Sequence, residues 1–131
     1  MSTVIEYQEV SERFGMSGPW IGKVKIDNLY LKYEFLVKNF ITSNEDLIIL
    51  NRFEGYASER IFRILVVNKS KLTCFVSKRS WQTLYLTRFD NGEIYFTNAF
   101  HDGDRKRFPE KSILFNNDNF VEIDSKEMLA T

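Results

Sequence analysis

One histidine and one cysteine are the residues of this chain best suited to nucleophilic or acid–base chemistry. His101 would have to supply the imidazole of any Ser/His or Cys/His pair, because the 131 residues contain no other histidine. Cys74 alternates with Leu72 and Val76, a pattern that predicts a strand with these three side chains on one apolar face. We therefore predict a structural cysteine, no intrachain disulfide and no catalytic residue.

Two short motifs look like ligand sites but lack essential parts. Residues 101–104 offer one imidazole and two carboxylates, which are too few metal ligands without a distant contributor, and Asp-Gly is common in turns. Residues 18–23 are one residue short of a phosphate-binding loop, and no Ser or Thr follows the lysine. The sequence thus predicts neither a metal site nor a cofactor.

The longest polar stretch, residues 101–111, is the predicted contact surface. Its charged side chains could supply the electrostatic rim of a protein interface. The alternative is an ordinary solvated loop. The nominated contact patch consists of His101, Asp102, Asp104, Arg105, Lys106 and Arg107.

Composition and charge limit the classes of function. At 131 residues, with 44% hydrophobic and 27% charged residues, the chain is expected to be one globular domain spanning residues 1–131. Three basic clusters, at residues 69–71, 78–79 and 105–107, could form a groove for single-stranded nucleic acid. Eighteen basic residues are balanced by eighteen acidic ones, however, which argues against a nucleic-acid partner.

The N-terminal sequence and hydropathy give an expectation about location. Residues 1–6 show no basic region followed by an apolar run, so no signal peptide is expected. No apolar run approaches the ~20 residues that span a bilayer. With the single cysteine, these features predict a cytoplasmic protein without a membrane partner.

The elements that would position these residues are predicted to be strands, beginning with a hairpin over residues 20–37. Apolar residues fall on even positions in its first half and on odd positions in its second half, as in strands with one buried face. A two-residue Asp-Asn loop at 27–28 is expected, since Asn tolerates a positive φ. In this register Trp20 points inward and a tyrosine covers the strand glycine. The predicted pairs are Trp20–Phe35, Gly22–Tyr33, Val24–Leu31 and Ile26–Leu29.

The N-terminal residues leave two readings open. Thr3 and Glu6 fit a capping box, and Val10 and Phe14 recur at helical spacing, which favours a short helix. The alternating residues 4–7 also read as a strand, which is the alternative.

The remaining segments predict short strands joined by turns. Residues 47–53 are apolar on both sides, which suits a central strand. A second hairpin turns at Asn91–Gly92, with a two-residue loop favoured over a three-residue one because it gathers six apolar side chains on one face. A last hairpin is expected around residues 116–119, followed by a tail of about one helical turn. About nine or ten short strands predict a mainly all-β fold, an antiparallel sandwich or barrel.

Residues 14–20, Phe-Gly-Met-Ser-Gly-Pro-Trp, resemble the opening of the calycins, the group of lipocalins and fatty-acid-binding proteins. The resemblance implies a barrel that carries a small apolar ligand, with Trp20 closing one end. The proline beside the tryptophan and the lack of a helix–turn–helix after the first strand depart from that pattern.

Residues 17–20 and 99–102, Ser-Gly-Pro-Trp and Ala-Phe-His-Asp, resemble segments of small bacterial β-rich proteins of the polymorphic-toxin immunity type. This resemblance implies a rigid scaffold that binds and blocks a toxin domain in the cytoplasm. We therefore expect a non-enzymatic protein-binding module, with an apolar-ligand carrier as the alternative and a hydrolase using His101 as the third reading.

Overall fold

The structure is a computed structural model that describes residues 3–15, 18–43, 46–55, 59–103 and 105–130. Within these ranges the chain forms eleven β-strands and one short helix, which confirms the predicted mainly antiparallel β class. None of the described residues belongs to a helix long and apolar enough to cross a membrane. The elements are β1 Ile5–Glu12, β2 Trp20–Ile26, β3 Leu29–Tyr30, β4 Glu34–Thr42, β5 Leu47–Phe53, β6 Phe62–Asn68, β7 Thr73–Ser77, β8 Tyr85–Asp90, β9 Glu93–Thr97, β10 Lys111–Leu114, β11 Phe120–Ile123 and α1 Ser125–Met128.

The strands form two antiparallel sheets that share a core. The larger sheet has the order β1-β2-β4-β5-β6-β7-β11, with the two-residue β3 paired to β2. The smaller sheet has the order β10-β9-β8. Because β1 and β11 end the larger sheet without pairing with each other in the described ranges, this sheet is open and not a closed barrel.

Two apolar clusters cover the two faces of the larger sheet. One lies between the sheets and contains Ile49 of β5 and Phe96 of β9. The other lies on the opposite face and contains Leu50 of β5 and Met128 of α1. Successive residues of a strand point to opposite faces, so β5 serves both clusters. The prediction that residues 47–53 form a central strand is confirmed.

A pair of buried asparagines joins the two sheets. The Asn39 carboxamide accepts a hydrogen bond from the Leu86 backbone N–H and donates one to the Leu86 carbonyl, both at 2.9 Å. Asn51 donates to the Asn39 Oδ1 at 3.0 Å and to the Leu84 carbonyl at 2.6 Å. The two side chains thus supply hydrogen-bond partners to the backbone of Leu84 and of Leu86 at the start of β8, as a neighbouring strand would.

A bulge in β4 aims Asn39 at the smaller sheet. Strict alternation would place Asn39 on the face of Phe35, which belongs to the opposite cluster. The register with β5 shifts between Phe35 and Phe40, and Lys38 has a φ of 61°. This left-handed residue resets the alternation, so the Asn39 side chain reaches Leu86.

The central hairpin turns where predicted, but its register changes part-way. Ile26 pairs with Leu29 across the two-residue loop, which confirms the turn. Further along, Gly22 pairs with Phe35 and not with Tyr33, so the predicted outer register is wrong. Tyr33 has a φ of 72° and interrupts the second strand, which separates β3 from β4.

The C-terminal segment occupies the interrupted stretch. The Lys32 backbone N–H donates to the Met128 carbonyl, and the Ala130 N–H donates to the Tyr30 carbonyl, both at 2.8 Å. These long-range hydrogen bonds replace the local ladder that the sequence pattern predicts. The helical turn expected in the tail is confirmed as α1.

The predicted inward orientation of Trp20 is wrong. Trp20 is 53% exposed, whereas Ile21 next to it is fully buried. A Cβ added to Gly22 would lie 2.8 Å from the Gln8 carbonyl oxygen and from the Val10 Cγ2. Strand β1, and not a tyrosine, therefore covers the glycine, and only a residue without a side chain admits this approach.

The favoured N-terminal helix is also wrong, because residues 5–12 form strand β1. β1 pairs with β2 in an antiparallel register that sets Ile5 against Ile26 and Tyr7 against Val24. Tertiary pairing with an available strand edge overrides the local capping signal.

The second hairpin follows its prediction at the turn and over most of its predicted apolar face. Trp81, Ile94 and Phe96 are buried between the sheets, and Phe89 and Phe100 pack against the same cluster. Asp90 pairs with Glu93 across the two-residue loop, as favoured. A register shift between Leu86 and Arg88 then turns the strand, so that Leu86 is buried and Tyr85 is only half-buried. The bulge changes which side chains enter the core.

The predicted last hairpin is wrong, because β10 pairs with β9 and β11 pairs with β7. The turn between them carries the chain from the smaller sheet to the larger one. The Asn116 Oδ1 accepts hydrogen bonds from the backbone N–H groups of Asp118 and Asn119, each at 3.1 Å. Turn residues define a reversal of the chain, but they do not define the neighbouring strand.

The asparagine pair gives a stability prediction. Asn39→Ala leaves the Leu86 N–H and carbonyl without their buried partners, so we expect the free energy of unfolding to fall by about 3 kcal/mol. Urea denaturation measures the change. Asn117→Ala, at an exposed turn position, is the control and should stay within about 0.5 kcal/mol of the parent chain. A loss below about 1 kcal/mol for Asn39→Ala would contradict the proposed role in joining the sheets.

Candidate functional site

The nominated contact patch lies on an exposed loop and is partly paired within itself. The Arg105 guanidinium lies 2.8 Å from the Asp102 carboxylate. The Arg107 guanidinium lies over the Phe108 ring at 5.3 Å. Lys106 is exposed, and Asp104 lies outside the described residues, as does Ser17 of the Ser-Gly-Pro segment.

Glu110 ties this loop to the smaller sheet. Its carboxylate accepts hydrogen bonds from the Thr87 hydroxyl at 2.7 Å and from the Arg88 guanidinium at 3.1 Å. These hydrogen bonds, the one from Thr87 foremost, lower the pKa of Glu110. Arg105 lies 3.5 Å from the same carboxylate. The loop is thus anchored at its end beside β8.

His101 separates from the other nominated residues and borders an apolar groove. The groove has a volume of about 850 Å³ and is open to solvent along one side. It lies between β1, the start of β2 and the bulged half of β4, and its size is that of sites that accept a ligand or a partner's side chains. Its apolar and aromatic lining includes Ile5, Val10, Trp20, Leu36, Phe40 and Phe100.

The groove opens because β4 leaves β2. The two strands pair only through Ile21 with Leu36 and Gly22 with Phe35. β2 begins at Trp20, and the preceding Pro19 has no N–H with which to continue the ladder. From that point β4 diverges, and the space between it and β1 remains unfilled.

Three exposed apolar side chains line this groove. The exposed fractions are 53% for Trp20, 40% for Val10 and 37% for Phe40. An exposed tryptophan in a concave apolar surface is typical of a binding site. The sequence analysis missed the exposed position of Trp20 in this groove, although the neighbouring Ile21 offered an apolar side chain of opposite orientation that could fill the core instead.

Tyr7 places a phenol at the side of the groove. Its hydroxyl oxygen is buried and has no hydrogen-bond partner among the described residues. Burial raises the pKa of this phenol, and the nearby Lys38 backbone N–H offsets only part of that effect. The site therefore contains a polar atom whose hydrogen-bonding capacity is unused.

No arrangement in the described residues unites the two reactive side chains. Cys74 is 1% exposed and belongs to the apolar cluster beyond the larger sheet, as predicted. Leu72, predicted on the same apolar face, is 51% exposed and has a φ of 53° just before β7 begins, so that part of the prediction is wrong. Burial raises the pKa of its thiol to about 12, so the nucleophilic thiolate is scarce at neutral pH. His101 is exposed beside the groove. The described part of the chain contains no group of three or more His, Cys, Asp or Glu residues that could hold a metal ion.

Cations of two of the three basic clusters contact other side chains of the fold. The Lys69 ammonium is 2.6 Å from the Asp27 carboxylate and 3.1 Å from the Thr3 hydroxyl. The hydrogen bond from Lys69 is the main cause that lowers the pKa of Asp27. Arg79 packs over the Trp81 ring at 5.4 Å. These cations are engaged within the fold, which weakens the alternative of a groove for single-stranded nucleic acid.

Comparison with known proteins adds no relationship: no protein-family model, curated protein or solved structure matches this chain.

The unpartnered phenol gives a prediction with a distinct pH dependence. The unfolded chain ionises Tyr7 above about pH 10, whereas the folded chain keeps it neutral, so part of the stability is lost as the pH rises above 10. We expect Tyr7→Phe to leave the free energy of unfolding at pH 8 unchanged within about 1 kcal/mol. At pH 11 the variant should gain about 1 kcal/mol relative to the parent chain.

Denaturation in urea at the two pH values measures this difference. Tyr30→Phe is the matched control, because it removes the same hydroxyl group from a tyrosine that is half exposed and not buried. A loss above about 1.5 kcal/mol for Tyr7→Phe at pH 8 would show that the hydroxyl makes a stabilising hydrogen bond.

Proposed function

We propose that this chain is a non-enzymatic protein-binding module whose contact surface is the groove beside Trp20. The observation that carries the proposal is the half-exposed Trp20 among apolar residues that line an open groove of about 850 Å³. The charged loop at residues 101–107 begins at the groove's border and provides the polar rim. An aromatic anchor with a polar rim is the usual composition of a protein interface.

The packing of the molecule supports binding at this surface. Two clusters of buried side chains occupy the space between the sheets and the opposite face of the larger sheet. Function is therefore expected outside the core, and the groove is a large concave surface with an apolar lining. Burying Trp20, Val10 and Phe40 against a partner would remove an apolar surface from water, which favours association.

The finer proposal is that the partner is a toxin domain, which the chain binds and blocks in the bacterial cytoplasm. It rests on the resemblance of residues 17–20 and 99–102 to immunity-type proteins. Phe100 and His101 of the second segment line the groove, and Trp20 ends the first. Both segments thus contribute to the proposed contact surface.

A carrier of a small apolar ligand is the second candidate, and the apolar lining of the groove favours it. The ligand would lie in the open groove and not inside a barrel, since the larger sheet is not closed. Titration with a fluorescent fatty acid separates the candidates. Saturable one-to-one binding that Trp20→Ala abolishes would support the carrier.

The anchor prediction concerns Trp20→Ala. We expect this change to weaken partner binding at least 30-fold, because an aromatic anchor at the centre of an interface is worth about 2 kcal/mol or more. The parent chain and the variant, immobilised separately, would be used to capture proteins from the native cell, and the affinity for the captured partner would be measured. Tyr33→Ala is the control, since Tyr33 is equally exposed but does not line the groove. Equal binding by Trp20→Ala and Tyr33→Ala would contradict the proposal.

The rim prediction concerns Arg107→Glu. Arg105 is unsuitable as a single probe because its pairs with Asp102 and Glu110 hold the loop. Reversing the charge of Arg107 should change the affinity for the same partner by more than about threefold, mainly through the association rate, and the effect should shrink at high salt. Surface plasmon resonance at two salt concentrations gives both quantities. An affinity unchanged within threefold would remove the loop from the contact surface.

A further inference from the structure

Strand β4 has an open edge along the groove. It pairs with β2 only through Phe35 and Leu36, so residues 37–42 have no strand partner on that side in the described part of the chain. On their other side, residues 40–42 pair with β5. Such an edge can accept an additional strand from another molecule.

The geometry next to the edge keeps it open. Pro19 cannot donate to a ladder, and its carbonyl accepts from the Arg13 N–H at 2.9 Å, which turns the chain back toward β1. The left-handed Lys38 bends β4 away at the same level. Residues 18–19 therefore border the groove without filling it.

The polar groups that an added strand would meet are those of the β4 backbone. Within residues 37–42, the backbone N–H and carbonyl groups on the groove side have no strand partner in the described part of the chain. Such unpaired groups along an edge are what a further strand pairs with. The Tyr7 hydroxyl is buried beside them, close to the Lys38 backbone N–H.

The ionisable residues that line the groove indicate which charge a bound segment should carry. Its ionisable lining consists of Tyr7, Lys38 and His101, and no carboxylate is present in its described lining. Lys38 is exposed and forms no ion pair with the described residues. A carboxylate is the group that complements an unpaired ammonium beside an apolar surface.

We propose that the groove binds an extended segment of the partner protein, which adds to β4 as a strand alongside residues 37–42. Alternate side chains of this segment are apolar and face Trp20 and Phe40, and one carboxylate pairs with Lys38. This inference rests on the proposed function, since it specifies what occupies the same groove. Strand addition obtains affinity from backbone hydrogen bonds and specificity from alternate side chains.

The test is selection of displayed random peptides of about twelve residues on the full chain. Enriched sequences should alternate apolar and polar residues and carry an acidic residue at one position. Selection on Lys38→Glu should replace that acidic residue with a basic one, and peptides from the first selection should lose at least tenfold in affinity. Lys71→Glu, on an exposed turn away from the groove, is the control and should leave both results unchanged.

Hydrogen exchange on the complex with a selected peptide reports the backbone pairing. Backbone amides within residues 37–42 that exchange freely in the unbound chain should slow at least tenfold. Peptides could bind in a manner that requires Trp20 while these amides stay unprotected or Lys38→Glu has no effect. That result would overturn strand addition but would leave binding in the groove intact. If no peptide is enriched, or enriched peptides bind Trp20→Ala equally well, the inference is overturned as a whole. A different result is that dodecanoate displaces the selected peptides and, by itself, protects the amides of residues 37–42 from exchange. Those two observations together would overturn the inference in favour of the carrier.

Discussion

The structure depends on a pair of buried carboxamides. Asn39 and Asn51 lie within the core, yet they carry the hydrogen bonds that hold Leu84 and the start of β8 against the larger sheet. An apolar residue at either position would leave backbone groups of Leu84 or Leu86 without a partner in a dry interior. The smaller sheet is therefore held by polar pairing as well as by apolar packing, and the pairing defines its position more narrowly.

The same bulge that orients Asn39 also creates the groove. Lys38 adopts a left-handed backbone conformation that turns Asn39 toward the smaller sheet. It also bends β4 away from β2, so that the two strands pair at only two residues of each. One local irregularity thus joins the sheets and leaves an open strand edge. Bulges commonly serve to redirect side chains and end pairing beside functional sites.

The complete burial of strand β5 is the reason that we expect the function at the surface of the molecule. Its side chains enter apolar clusters on both faces of the larger sheet, and all seven of its residues are buried. Trp20, a large aromatic residue at the start of a neighbouring strand, remains half exposed although Ile21 next to it is fully buried. The exposed tryptophan is thus not required to complete the core, and we infer a role for it in recognition.

Local patterns were sufficient for part of this structure. Alternating apolar residues predicted the antiparallel β class, the turns at 27–28 and 91–92, the buried Cys74 and the two-sided β5. These features follow from side-chain period and turn chemistry, which act over a few residues. The charged loop at 101–107 was also found from composition, although its pairing with Glu110 was not.

Only the tertiary structure decided the outer register of the central hairpin, the strand at residues 5–12, the partners of β10 and β11, and the groove. The left-handed backbone conformations of Lys38 and Tyr33 shift the alternation of side chains. The first accompanies the hydrogen bonds between Asn39 and Leu86, and the second lies beside the hydrogen bonds to the C-terminal segment. The sequence by itself determined which residues prefer strands and turns, because those preferences are local. Which strand edges meet, and which are left open beside Trp20, depends on contacts between residues far apart in the chain, and no short pattern encodes them.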